Sequence, residues 1–119
     1  MKNNNIISSF KYAFEGIFSS LKTERNLIIH TVIMTLIIIF GFIFKINKYE
    51  WFTCIILFIV VISSELFNTA LELVVDLAEP KVNPLAKKAK DIAAGAVLVT
   101  AIGAAIIGLW IFLPKIFNI

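Results

Sequence analysis

The chain has 119 residues, of which 60% are hydrophobic and 16% charged, with a formal net charge of +3 and a mean hydropathy of +0.94. A soluble domain this small has too high a surface-to-volume ratio to hide so much apolar surface, so the composition points to a single domain that uses the bilayer as its solvent. The basic excess flanks apolar segments, which assigns it to anionic lipid headgroups and membrane topology and not to nucleic acid. The single cysteine, Cys54, rules out an intrachain disulfide or a cysteine metal cluster and reads as a small apolar packing residue.

In chain order, Met1 to Asn5 is polar and the next stretch is broken by Lys11 and Glu15, so no cleavable signal is expected. Residues 6–22 place Ile6, Ile7, Phe10, Phe14, Ile17, Phe18 and Leu21 at helical spacing, opposite Ser8, Lys11, Glu15, Ser19 and Lys22. That is an amphipathic helix too polar to span, suited to lie in the membrane interface. Residues 27–44 form the first span, whose only polar side chains are His30 and two threonines. At about 1.5 Å per residue it reaches roughly 27 Å, enough for a hydrocarbon core. Residues 45–48 make a turn. The second helix covers 50–78, beginning at the interfacial aromatics Tyr49 and Trp51 and projecting beyond the bilayer before Pro80. The third covers 85–113 and is expected to stop at Pro114. Along it, Ala96, Thr100, Ala104 and Gly108 form a small-residue stripe of the kind that lets helices approach closely in lipid. The fold class is therefore all-α integral membrane, with three transmembrane helices behind an N-terminal surface helix.

Basic residues set the orientation. Lys2, Lys11, Lys22, Arg25, Lys81, Lys87, Lys88 and Lys90 share one side, against Lys45, Lys48 and Lys115 on the other. The richer side is cytoplasmic, which puts the N-terminus inside.

The chemistry lies in the second helix. Carboxylates in a membrane segment are costly, on the order of 2.5–3.5 kcal/mol each on insertion scales. With Glu65 at 0°, Asn68 falls at about −60°, Glu72 at about −20° and Asp76 at about +20°, one polar stripe about 80° wide. Acidic oxygens without clustered histidines or cysteines suit a hard cation such as Mg²⁺, which usually takes one or two carboxylates and leaves the rest to phosphate and water. Glu24, at the start of the first span, stands on the same side as Glu72. Lys90 and Asp91, in the first turns of the third helix, put a cation and a helix N-terminus beside them, a setting that favours anions. His30 reads as a satisfied intramembrane histidine, since no second histidine or cysteine stands at metal spacing. No phosphate-binding G-x-x-x-x-G-K-[ST] loop is present. The residues alone leave a nucleotide-using site and a small cation or proton conductor both open.

The run from Glu65 through Asp76, ELFNTALELVVD, followed by Ala89-Lys90-Asp91, resembles the signature of the prokaryotic diacylglycerol kinase family. Phe10, Ala13 and Gly16, the triplet Glu24-Arg25-Asn26, and His30 resemble its Gram-positive branch, whose members are typically undecaprenol kinases. The resemblance implies a homotrimer in the bacterial cell membrane, with active sites between subunits at the cytoplasmic surface. It also implies transfer of the ATP γ-phosphate to a lipid alcohol with Mg²⁺. On this resemblance Glu65 matches the general base, Glu24 and Glu72 the metal-binding acids, Tyr12, Lys90 and Asp91 nucleotide-contacting positions, and Asn68 and Asp76 further polar residues of the site. A conductor would not need the Ala-Lys-Asp segment. Asn83 stands where the family often has histidine, which leaves open the contacts of Lys81, Val82 and Asn83. Leu77 and Ala94 replace a basic residue and a serine of the diacylglycerol branch, which favours undecaprenol over the alternative, diacylglycerol.

Overall fold

The computed structural model describes residues 5–119; Lys2, counted above among the basic residues, lies outside them. Four helices follow in order: α1 (Ile6–Thr23), α2 (Arg25–Ile43), α3 (Lys48–Ala78) and α4 (Pro84–Ile116). Three of them, α2, α3 and α4, are long and apolar enough to cross a membrane. The described chain measures 53 × 40 × 21 Å. The long axis matches α4, whose residues rise about 50 Å at the helical pitch.

No residue of α1 is buried, and Ile6, Ile7, Phe10, Phe14 and Phe18 stand exposed. A single residue, Glu24, joins α1 to α2. Its backbone is extended (φ −94°, ψ 107°), its N–H closes the last turn of α1 on the Ser20 carbonyl, and its carbonyl opens α2 by accepting from Ile28. Within α2 the two threonines donate to carbonyls one turn back, Thr31 to Leu27 and Thr35 to Thr31. Their hydroxyls are satisfied inside their own helix and need no partner in lipid.

The α2–α3 connection is tight because both helix ends are capped by the chain between them. Lys45 takes a left-handed conformation (φ 52°), which lets Ile46 N–H reach the Gly41 carbonyl at 3.1 Å and Lys45 N–H reach that of Phe42. This is a Schellman ending, made without glycine at its left-handed position. Asn47 then opens α3 with a reciprocal capping box, its side chain accepting from Glu50 N–H while Glu50 accepts from Asn47 N–H, each at 2.9 Å. Gly41 is required here: a Cβ would come within 2.5 Å of the Trp51 ring. Ile46, Cys54 and Phe112 form the buried apolar cluster at this end, with Phe44, Trp51 and Phe58 packed on it.

Several expectations change in detail, beginning with α2, which covers Arg25–Ile43 where 27–44 was expected. α3 starts at Lys48 rather than 50, because the capping box begins one residue earlier. α4 runs from Pro84 to Ile116, past Pro114. Proline interferes with the turn before it, through its missing N–H and its ring, while the residues after it still close a turn, Phe117 N–H bonding the Leu113 carbonyl. The small-residue stripe is not a uniform packing face. Ala96 is exposed, Val97 is the buried position, and a Cβ at Gly108 would meet nothing within 4 Å. Of the four stripe residues, Thr100 alone makes a polar side-chain contact with α3, its hydroxyl 3.0 Å from that of Ser64. Each hydroxyl also lies within bonding distance of its own helix, at the Val61 and Val97 carbonyls.

Candidate active site

α3 is built from two halves. Toward Lys48 it buries Cys54 and Val61; further on it buries Glu65, Asn68 and Thr69. A buried carboxylate needs a partner, because removing an unpaired charge from water costs several kcal/mol. For Glu65, 2% exposed, the partner is His30 of α2, whose Nε2 lies 3.1 Å from Glu65 Oε1. One turn along α3, Asn68 Nδ2 donates to Glu72 Oε1 at 3.1 Å. Asn68 Oδ1 is the one buried side-chain oxygen without a hydrogen-bond partner among the described residues. At the end of the stripe Asp76 is exposed and ion-paired with Lys90 of α4.

The stripe thus grades from a buried, paired acid at Glu65 through half-buried Glu72 to exposed Asp76. Glu24 is half-buried at the α1–α2 joint, and its carboxylate makes no hydrogen bond or ion pair among the described residues. The second oxygen of Glu72 is likewise unbonded there. No three acidic, histidine or cysteine side chains among the described residues are grouped so as to hold a metal on their own. The donor chemistry, two carboxylates with free oxygens, still fits a cation that keeps most of its shell in phosphate and water.

The other residues singled out from sequence divide into two groups. Lys90 is drawn to Asp76, so α3 and α4 are tied at this end of the bundle. Asp91 is held by Lys87 one turn back on the outer face of α4, at 2.6 Å, and both side chains are largely exposed. Tyr12 sits half-buried on α1 with no hydrogen bond among the described residues, and α1 packs against both α2 and α3. Asn83 is the N-cap of α4, accepting from Leu85 N–H at 2.8 Å ahead of Pro84. That capping role explains why an asparagine suits the position. Lys81 N–H donates to Glu79, and Val82 is fully exposed.

The contact that sequence reasoning missed is His30 with Glu65. A clue was present in the spacing. His30 follows Glu24 by six residues along α2, and Glu65 precedes Glu72 by seven along α3, the next helix of the chain running back the opposite way, so the two sit at similar depth.

Comparison with known proteins gives the arrangement its context. The family described as prokaryotic diacylglycerol kinase matches residues 11–112, nearly the whole chain. The chain belongs to the prokaryotic diacylglycerol kinase family. Among its relatives, the undecaprenol kinase of Bacillus subtilis (strain 168) is 45% identical over 113 residues, covering 95% of this chain and 92% of that protein. The diacylglycerol kinase of Synechocystis sp. (strain ATCC 27184 / PCC 6803 / Kazusa) is 38% identical over 116 residues, covering 97% of this chain and 66% of that one. In this prokaryotic diacylglycerol kinase family member, the matched region takes in Tyr12, both helices of the His30–Glu65 contact and the Lys90–Asp91 segment.

Proposed function

We propose that the protein is an ATP-dependent undecaprenol kinase, transferring the γ-phosphate to the lipid hydroxyl to give undecaprenyl phosphate. The observation that carries this reading is the 45% identity with the Bacillus subtilis undecaprenol kinase over almost the full length of both chains. Family membership also sets aside a cation or proton conductor.

Phosphoryl transfer asks mainly for positioning and for neutralisation of charge. The graded stripe suits that demand. Glu65 is the carboxylate that draws the proton from the lipid hydroxyl, since a buried acid about 10 Å deeper than Glu72 meets an alcohol coming from the bilayer. Glu24 and Glu72 would hold Mg²⁺ with the nucleotide, and that ion would neutralise phosphate charge. Lys90, Asp91 and Tyr12 are the nucleotide-contacting residues, and Asn68 and Asp76 order the acids beside them. The positive-inside bias supports a cytoplasmic N-terminus and site in a bacterial cell membrane, with α1 lying in the interface on its exposed apolar face. A homotrimer with sites between subunits is consistent with the unpartnered Asn68 oxygen and with a metal site that one chain leaves incomplete.

Purified protein in mixed micelles with Mg²⁺, radiolabelled ATP and either undecaprenol or diacylglycerol tests the assignment. Label is expected in undecaprenyl phosphate. Label in phosphatidic acid alone would move the substrate to diacylglycerol, the reading favoured by the similarity to the Synechocystis protein. Label in neither would remove the kinase reading.

A further inference from the structure

Glu65 is buried, yet its carboxylate has two chemically identical oxygens and only one of them is held. Oε1 lies 3.1 Å from His30 Nε2, and among the described residues no other side chain bonds either oxygen. The neighbouring polar groups are engaged elsewhere. Asn68 Nδ2 goes to Glu72, and the Ser64 hydroxyl lies with the Val61 carbonyl and the Thr100 hydroxyl. Against an ionised carboxylate an imidazole nitrogen can act only as a donor, whether the ring is neutral or protonated. The ring is in turn fixed by its helix. Leu27, three residues earlier on the same face of α2, is 1% exposed and pins that face inward. His30 also lines the apolar groove between α2, α3 and α4, which Glu65 does not, so the imidazole is the side of the pair turned to the groove.

We propose that His30 is a positioning residue for the base: its Nε2–H holds Oε1 of Glu65, so that Oε2 is the oxygen left free and oriented to take the proton of the lipid hydroxyl. This rests on the lipid-kinase reading and keeps Glu65 as its base. In the step, the hydroxyl O–H bond breaks and the proton binds Oε2. The oxygen's electron pair forms the new bond to the γ-phosphorus. The bond from that phosphorus to the bridging oxygen breaks, and its electron pair leaves on ADP. His30 neither takes nor gives a proton. Its contribution is geometric. The terminal torsion of a glutamate is broad, and one hydrogen bond at one oxygen narrows it. A base already fixed in reacting geometry spares the transition state the entropy of that alignment. Neutralising a buried acid would call only for a cation somewhere around it, whereas a single N–H on Oε1 also tells the two oxygens apart.

The test uses the full-length protein in mixed micelles with undecaprenol. His30→Leu fills the space without a donor and is expected to lower kcat by roughly 10–10²-fold, the loss that follows a misplacement of about 1 Å, with KM for Mg·ATP unchanged. If it does not elute as the parent protein does, His30→Met, unbranched and adaptable in packing, takes its place. His30→Gln puts an amide N–H where Nε2 stood and should recover most of that loss. A residue that acts through Glu65 has nothing to act on once Glu65 is replaced. His30→Leu should therefore cause no further loss in the Glu65→Gln background. Parent kcat in His30→Leu, a His30→Gln variant as slow as His30→Leu, or full multiplication of the two losses in the double variant would each overturn the positioning role while leaving the kinase reading intact. A parent protein that labels no alcohol would instead sink the lipid-kinase reading beneath it.

Discussion

The two halves of α3 face the same membrane with opposite chemistry. The half nearer Lys48 buries Cys54 and joins Ile46 and Phe112 in an apolar cluster, its acid, Glu50, spent on capping the helix and pairing with Lys115 at 3.1 Å. The other half buries Glu65, Asn68 and Thr69. Apolar burial and helix capping need no further explanation, since they stabilise the hairpin directly. Burial of a carboxylate against a lone histidine is costly and is worth keeping only if the site uses it. The difference teaches where in one continuous helix stability ends and chemistry begins.

Substitutions in the polar half should therefore change turnover, and substitutions in the apolar half should change stability. The largest effect is expected for Glu65→Gln, which should cut kcat by roughly 10²–10⁴-fold while the elution position in size-exclusion chromatography in detergent stays that of the parent protein. Near-normal turnover would erase the distinction between the halves. Glu72→Ala comes next, with a weakened Mg·ATP dependence of the initial rate; an unchanged metal and nucleotide requirement would overturn the metal-holding role proposed for Glu72. In the apolar half, Gly41→Ala forces its new methyl into the Trp51 ring. Overpacking of this kind costs about 1–3 kcal/mol, which thermal unfolding in detergent should register with kcat per folded enzyme unchanged. Asn47→Ala removes the reciprocal cap for about 1 kcal/mol, again without effect on KM for either substrate. The smallest change is expected for Lys115→Ala. Its ion pair with Glu50 is partly exposed and contributes on the order of 1 kcal/mol or less, so a large loss of activity there would show that the far end of the bundle is coupled to the site.

Much of this was legible from residue order. Hydropathy marked three long apolar helices, and the 3.6-residue period alone put Glu65, Asn68, Glu72 and Asp76 on one arc, because residues within a helix have their relative directions set by its geometry. The motif around those residues pointed to the family that the comparisons then matched. Local chemistry also announced the Asn47–Glu50 cap, although the turn was read only as a turn.

Contacts between helices were not legible in the same way. The pairing of His30 with Glu65, of Asp76 with Lys90 and of Ser64 with Thr100 depends on how α2 and α4 are rotated and slid against α3. That is settled by the Schellman turn after α2, by Trp51 lying on Gly41, and by which of Ala96 and Val97 turns inward. None of these follows from a periodicity. The sequence by itself determined that this is a helical membrane protein with an acidic stripe in its second span. Only the tertiary structure decided that the deepest acid of that stripe is shielded behind a histidine, since a helix controls its own face but not the neighbour that face will meet.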